Sequence, residues 1–66
     1  MTQRIIRLAE VKSKTGLSRS SIYERIKDGS MPAPIKITSH AVGWIEKEVD
    51  DWITQRIAKS RSEESL

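Results

Sequence analysis

A short turn, Thr15-Gly16-Leu17-Ser18, separates two segments with helical spacing, and it limits the possible folds more than any other feature. Before the turn, Leu8 and Val11 lie three residues apart, which predicts a helix from about Leu8 to Lys14. Gly16 is suited to end this helix, because glycine adopts the left-handed backbone conformation without a steric penalty. The chain is therefore expected to form two short helices here instead of one long helix.

The segment after the turn predicts a second helix that begins at Ser18. The Ser18 hydroxyl can accept a hydrogen bond from a free backbone N–H group of the first helical turn. Ile22 and Ile26 give this helix one apolar face, and Asp28-Gly29 ends it. Two short helices joined by a tight turn that contains glycine form a helix-turn-helix pattern.

Two short strands are predicted after the second helix. Pro32-Ala33-Pro34 excludes helix and favours an extended chain, and the alternation in Ile35-Lys36-Ile37-Thr38 is typical of a half-buried strand. Ser39-His40 predicts a turn, after which Ala41-Val42-Gly43-Trp44 returns as a second strand. A hairpin in this position, over residues 35–44, is a wing.

The end of the chain predicts one more helix and a tail. From about Glu46 the apolar spacing is again helical, and Ile5-Ile6 near the start can add a short strand beside the hairpin. Residues 60–66 are polar and predict a flexible tail after a domain at residues 1–59. The expected fold is a small α+β winged helix-turn-helix. Its expected core consists of Ile5, Leu8, Val11, Leu17, Ile22, Ile26, Ile35, Ile37, Val42, Trp44, Val49, Trp52, Ile53 and Ile57.

The small size of the chain favours a binding surface over an enzyme. Its 66 residues support one small core, with a net stability of about 3–5 kcal/mol. The absence of cysteine excludes disulfides, cysteine-based zinc sites and cysteine nucleophiles. No signal-like or membrane-length apolar run occurs, so a cytosolic protein is expected, without cofactor, small-molecule ligand or membrane partner.

Positive charge is concentrated in the first part of the chain. Residues 1–40 hold eight basic and three acidic side chains, a net charge of +5, whereas residues 41–66 have a net charge of −2. This asymmetry is typical of a nucleic-acid-binding face with a non-contacting back. The alternative is that these charged residues only form solvated helix faces and are unevenly distributed by chance. Charge alone does not decide between these two interpretations.

The exposed side of the second helix carries most of the predicted DNA-binding residues. Hydroxyl groups, arginine and the helix N-terminus suit phosphate oxygens, and outward side chains can reach base edges. The alternative is that the serines only cap the helix; the turn before the helix and the wing after it favour DNA binding. The residues predicted from this pattern are Ser18, Arg19, Ser20, Ser21, Tyr23, Glu24 and Lys27, with Lys36 of the wing as a contact to the DNA backbone.

Several short motifs follow one another between Arg7 and Arg56. They are Glu10-Val11, Thr15-Gly16-Leu17-Ser18-Arg19-Ser20-Ser21-Ile22-Tyr23, Gly29 with Met31-Pro32, Pro34-Ile35-Lys36, Val42-Gly43-Trp44 and Glu48-Val49-Asp50-Asp51-Trp52-Ile53. In this order the chain resembles the AlpA family of phage and prophage regulators, which is similar to excisionases and MerR-type winged-helix DNA-binding domains. The resemblance implies a transcription factor of the bacterial cytoplasm and nucleoid. Residues 18–28 would then enter the major groove of double-stranded DNA, and wing 35–44 would contact the backbone.

Two positions depart from the pattern of the family. Met31 replaces the usual aromatic residue before the first proline, and Thr38-Ser39-His40-Ala41 replaces a wing turn that usually carries glycine and arginine. His40 is the candidate for the role of that arginine, but it is positively charged only when protonated.

Two other functions remain open at this point. An excisionase-like factor that bends DNA for a recombinase fits the same residues, and a protein-interaction module could use the same fold. Because a module of this size covers a short stretch of DNA, specificity is expected to need a dimer or adjacent copies.

Other chemistry is less favoured by the sequence. Trp44 and Trp52 could stack on single-stranded bases, but both lie on apolar stripes and are expected to be in the core. His40 is the only histidine and lacks cysteine neighbours for a metal site. The acidic residues between Glu46 and Asp51 are expected to form a solvated face instead of a cation site.

Overall fold

Three helices and a three-stranded antiparallel sheet make up residues 3–64, the part of the chain that the computed structural model describes. The central strand β3 pairs antiparallel with β1 on one side and with β2 on the other. This small α+β architecture is compatible with a winged helix-turn-helix, as predicted, and the third strand at Ile5–Ile6 is confirmed. In chain order the elements are β1 (Ile5–Ile6), α1 (Leu8–Thr15), α2 (Arg19–Lys27), β2 (Ile35–Thr38), β3 (Ala41–Ile45) and α3 (Glu46–Glu64).

The turn between α1 and α2 has the predicted caps. Gly16 ends α1 at a φ of 71°, in the left-handed region, and its N–H donates a hydrogen bond of 2.8 Å to the Lys12 carbonyl oxygen. The Ser18 hydroxyl caps α2 by accepting a hydrogen bond of 3.2 Å from the Ser21 N–H. These caps satisfy backbone groups that have no partner within the helices.

The core lies between one face of the sheet and the helices. It consists of six buried side chains, Ile6, Val11, Ile22, Met31, Trp44 and Val49, against which Leu8, Leu17, Ile26, Trp52 and Ile53 pack. Met31 thus occupies the core position expected for the aromatic residue of the family. Trp44 is fully buried, whereas Trp52 is only half-buried at the edge of the core.

The prediction of a buried side chain is wrong for five residues. Their side chains are 38–46% exposed; they are Ile5, Ile35, Ile37, Val42 and Ile57. The helices cover only the sheet face that carries Ile6 and Trp44, which pair across β1 and β3. Ile5 therefore points to the other face, as Ile35 and Ile37 do. The alternation of apolar residues in β2 identified a strand correctly, but it could not show which face is covered.

Gly43 allows the outer face of the sheet to close over β3. A Cβ atom at this position would lie 2.6 Å from Ile5 Cγ2, 2.8 Å from Ile37 Cδ1 and 3.0 Å from the Ile6 carbonyl oxygen. The isoleucines of both flanking strands thus meet above a residue without a side chain, which fixes the wing against β1.

Helix α3 is longer than the sequence suggests. It continues through residues 60–64, which were predicted to belong to a flexible tail, while residues 65 and 66 lie outside the described part of the chain. Ala58, Lys59, Arg61 and Glu63 are good helix formers, and no glycine or proline interrupts them. Within residues 3–64, no helix is both long enough and apolar enough to span a membrane.

Candidate nucleic-acid interface

Helix α2 presents a polar face to solvent on the side away from the core. Ile22 on the opposite side is fully buried and Ile26 is half-buried, so these two residues fix the rotation of the helix. The side chains that this rotation leaves exposed are those of Arg19, Ser20, Tyr23, Glu24 and Lys27. The helix therefore places two cations, a carboxylate and two hydroxyl groups on its outer surface.

The three serines at the start of α2 have different tasks. Ser18 accepts the capping hydrogen bond, and its hydroxyl also donates a hydrogen bond of 3.1 Å to the Ser21 hydroxyl. The interpretation that the serines cap the helix therefore holds for Ser18 and Ser21, although the Ser18 side chain stays exposed. Ser20 is exposed and takes no part in the cap, which leaves it as the serine best placed for an external ligand.

Tyr23 connects the outer face of α2 to the sheet. Its ring meets the buried Trp44 ring edge-on, with centroids 6.5 Å apart and an angle of 62° between the planes. On its other side, the Arg19 guanidinium lies 5.7 Å from the Tyr23 ring centroid. Tyr23 is 38% exposed, so the ring is held in place while part of its surface remains accessible.

This stack was not predicted, although the i,i+4 spacing of Arg19 and Tyr23 was a usable signal. Cation–π contact limits the orientations of the Arg19 guanidinium at the N-terminal end of α2. The contact from Tyr23 to Trp44 could not be predicted from spacing, because the two residues belong to different elements.

The predicted wing residues lie on and beside the hairpin. Lys36 is exposed and pairs across the strands with Val42, two positions from Trp44 on β3, so Lys36 lies on the sheet side that faces α2. His40 is exposed in the turn between β2 and β3, where its backbone N–H donates a hydrogen bond of 3.2 Å to Thr38 Oγ1. The structure thus brings Lys36 to the side of α2 and leaves His40 at the tip of the wing.

Two of the N-terminal basic residues belong to an ion-pair network on the α3 side of the molecule. Lys14 Nζ lies 2.8 Å from Asp50 and 3.2 Å from Glu46, and Arg4 lies 3.3 Å from Glu46 and 3.5 Å from Glu10. The hydrogen bonds from Lys14, first to Asp50 and then to Glu46, raise the pKa of the Lys14 ammonium. These two cations are therefore engaged within the protein.

The same network explains most of the acidic cluster on α3. Asp51 pairs with Lys47 at 3.0 Å, so Glu46, Asp50 and Asp51 all have basic partners. These acidic residues therefore form ion pairs within the protein in addition to facing solvent. Among residues 3–64, no group of histidine, cysteine, aspartate and glutamate is arranged to hold a metal ion.

The two tryptophans are not stacking platforms. Trp44 is buried in the core, as predicted. The Trp52 indole N–H donates a hydrogen bond to the Ser30 carbonyl oxygen, while the Arg56 guanidinium lies 5.2 Å from its ring centroid. Trp52 therefore joins the end of α2 to α3 instead of offering a free ring.

Fold and site together define a small α+β protein with a helix-turn-helix, a wing and an exposed polar helix face. A family model described as "Prophage CP4-57 regulatory protein (AlpA)" matches residues 4–57. The chain belongs to this AlpA family, which confirms the resemblance seen in the sequence.

Two relatives illustrate the range of the family. The chain is 41% identical over 56 residues to "Uncharacterized protein ORF88" of Enterobacteria phage P4, covering 85% of this chain and 64% of that protein. It is 39% identical over 59 residues to "DNA-binding transcriptional activator AlpA" of Escherichia coli (strain K12), covering 80% of this chain and 84% of that protein. The chain thus spans less than two-thirds of the phage P4 protein. No solved structure matches the chain.

Proposed function

We propose that this protein is a sequence-specific double-stranded DNA-binding transcriptional regulator, in which α2 enters the major groove and the wing contacts the adjacent backbone. The observation that carries the proposal is the exposed face of α2, on which the stack of Trp44, Tyr23 and Arg19 holds a guanidinium at the helix N-terminus. An α-helix fits the major groove, and side chains near its N-terminal end are the ones that reach base edges. The relative described as a DNA-binding transcriptional activator supports the same function.

The roles of the residues follow from their chemistry and position. Arg19, Lys27 and Lys36 are exposed cations and contact phosphate oxygens. Ser20, the phenol group of Tyr23 and the Glu24 carboxylate lie on the outer face of α2 and read base edges, a carboxylate accepting from the amino group of cytosine. Ser18 and Ser21 position the helix N-terminus, and His40 adds a wing contact when it is protonated.

The setting of the protein is part of the same proposal. It acts in the bacterial cytoplasm on nucleoid DNA, without a cofactor. Since one module of this size covers a short site, two or more copies bind together.

The salt dependence of DNA binding tests the proposal. About four to six phosphate contacts give a slope of log K against log salt of roughly −4 to −5. Lys36→Ala should reduce this slope by about one unit, because it removes one phosphate contact. Lys47→Ala is the matched control, since Lys47 is an exposed lysine of α3 paired with Asp51, and it should leave the slope unchanged. A wild-type slope near zero would exclude DNA binding as the main activity.

DNase footprinting across the region that flanks the gene of this protein would locate the operator. An excisionase-like function would show in the same DNA as a bend, measured by the migration of circularly permuted fragments. A straight operator next to a promoter supports the regulator function.

A further inference from the structure

We propose that a groove along the C-terminal half of α3 binds an acidic amphipathic helix of another protein, with the apolar residues of that helix on the floor of the groove and its carboxylates on the rim. Arg25, which lines the groove, is two positions from Tyr23 and therefore about 200° away around the axis of α2. The groove thus lies on the other flank of α2 from Tyr23. It shares no residue with the proposed DNA interface, so the contact is tested apart from the proposed function.

Three adjoining depressions form this α3 groove. The first has a volume of about 300 Å³ and shares Trp52 and Arg56 with the second, which has a volume of about 220 Å³. It shares Arg56 and Ile57 with the third, which has a volume of about 340 Å³. From Ile53 to Arg61 the groove follows α3 for about 12 Å, or roughly two helical turns. A partner helix of two to three turns is long enough to lie along it.

The floor of the α3 groove is apolar and partly open to water. It consists of the half-buried Leu17, Trp52 and Ile53, together with Ile57. Ile57 is 46% exposed, the largest value among the big apolar side chains that are described. Such a surface gains free energy when apolar side chains cover it. The charged phosphates of DNA offer no such cover, so the floor favours a protein helix over DNA as the occupant.

The charge of the rim determines the charge of the partner. Five basic and no acidic side chains line the three depressions; the basic residues are Lys14, Arg25, Arg56, Lys59 and Arg61. Lys14 is engaged with Asp50 and Glu46. Over residues 54–63, α3 carries three of the other cations against Glu63 alone, so a second copy of this segment would repel the rim. A helix that carries carboxylates complements it.

Three cations of the rim can accept an external carboxylate as a partner. In the part of the chain that the structure describes, no carboxylate forms an ion pair with Arg25, Arg56 or Lys59. Asp28 lies near both arginines, but its carboxylate accepts a hydrogen bond of 2.9 Å from the Ser30 N–H. The positive charge of the rim is therefore not neutralised by an ion pair at these three residues.

Arg56 joins the floor of the groove to its rim. Its guanidinium lies 5.2 Å from the centroid of the Trp52 ring, a cation–π contact that limits its orientations. A guanidinium that is already oriented can bind a carboxylate through two parallel hydrogen bonds with less loss of side-chain freedom. Because Trp52 also lines the groove, its indole fluorescence reports on what fills the groove.

Tryptophan fluorescence of the full chain tests the proposal. The probe is a synthetic helical peptide of about 15 residues without aromatic side chains, with leucine at positions i, i+3, i+4 and i+7 and glutamate on both sides of this face. It should shift the Trp52 emission to shorter wavelength in a saturable titration, while the buried Trp44 contributes a constant signal. The same peptide with lysine in place of glutamate, or with serine in place of leucine, should bind at least about tenfold more weakly.

Two variants with matched controls locate the binding. Ile57→Ser removes an apolar contact of the floor and should raise the dissociation constant of the glutamate peptide at least about tenfold, and Lys59→Gln removes a charge of the rim and should raise it at least about threefold. The controls are Ile35→Ser, on the outer sheet face where Ile35 is 39% exposed, and Lys47→Gln, at an exposed lysine of α3 that pairs with Asp51 outside the groove. Both should leave the constant within about twofold. Circular dichroism verifies that the variants keep the wild-type fold.

Four results would overturn the proposal. The glutamate peptide could fail to bind, or the peptide with serine in place of leucine could bind equally well, which would leave only a general attraction of charges. If Lys59→Gln reduces the slope of log K against log salt for a random DNA duplex by about one unit, the groove belongs to DNA. If sedimentation equilibrium shows a dimer that Ile57→Ser abolishes, a second copy fills the groove. Wild-type binding to the random duplex without peptide reports on the proposed function independently.

Discussion

Substitution of Tyr23 separates two contributions of this residue, the packing of its ring and the chemistry of its hydroxyl. Tyr23→Leu removes the edge-on contact with Trp44 and the ring beneath Arg19, whereas Tyr23→Phe keeps both. An aromatic pair of this geometry contributes about 0.5–1.5 kcal/mol. Tyr23→Leu should therefore lower the free energy of unfolding by about 1 kcal/mol, and the melting temperature by about 4–8 °C for a domain of this size. Tyr23→Phe should melt like the wild type.

The same two variants act differently on DNA. Tyr23→Leu frees the Arg19 guanidinium and also removes the hydroxyl, so it should weaken binding to random DNA and weaken binding to operator DNA still more. Tyr23→Phe removes only the hydroxyl, the group proposed to read bases, and should narrow the difference in binding free energy between operator and random DNA by about 1–3 kcal/mol while leaving the affinity for random DNA unchanged. Fluorescence anisotropy with the two DNA duplexes measures both effects, and thermal melting by circular dichroism measures stability.

A double-mutant cycle then tests the link between Arg19 and Tyr23. If the ring positions the guanidinium, Arg19→Ala and Tyr23→Leu should lose less DNA affinity together than the sum of their separate losses, by at least about 0.5 kcal/mol. Full additivity would show that the ring does not position Arg19. Equal losses of stability in Tyr23→Leu and Tyr23→Phe would refute the packing part of the reasoning.

Three further variants test the fold that supports the interface. Gly43→Ala should destabilise the protein by about 1–3 kcal/mol, because its new methyl group collides with Ile5 Cγ2. Ile5→Leu removes that atom, so in thermal melts the double variant should recover part of the lost stability. Trp44→Ala should unfold most of the domain, since emptying a fully buried tryptophan site costs about 3–5 kcal/mol; a native far-UV spectrum would contradict this. Hydrogen bonds from Ser30, first from its side chain and then from its backbone N–H, lower the pKa of Asp28. The stability that Asp28 adds is therefore present above its unfolded pKa near 3.8 and is lost as the pH falls below that value. In Asp28→Ala, the free energy of unfolding should fall less steeply with decreasing pH in this range than in the wild type.

The sequence predicted local elements better than the sides that those elements bury. Gly16, Ser18 and the prolines before β2 act on the backbone beside them, glycine and proline through their own conformation and Ser18 through its hydroxyl, so the helix ends and the wing could be predicted from neighbouring residues alone. Ile5 and Ile6 are identical in chemistry, and only the pairing of Ile6 with Trp44 decides that Ile6 is the buried one. A choice of this kind depends on the assembled sheet.

The site shows the same division. The outward residues of α2 follow from the positions of Ile22 and Ile26, because helical periodicity fixes both faces at once. The contact between Tyr23 and Trp44, and the pairing of Lys14 with Asp50, join residues that are far apart in the chain. Charge counting therefore overestimated the free positive charge of the N-terminal part, since Arg4 and Lys14 are engaged with acidic residues.

The central claim, that α2 reads base sequence, is tested most directly by comparing operator and random DNA for one variant of each predicted class. Ser20→Ala should narrow the affinity difference between the two duplexes by about 1–3 kcal/mol, because Ser20 is exposed on the outer face and free of the cap. Lys36→Ala should weaken binding to both duplexes equally and keep the difference, because a phosphate contact carries no base information. Equal losses on both duplexes for Ser20→Ala and for Tyr23→Phe, in folded protein, would contradict the claim and move recognition to the wing or to DNA shape.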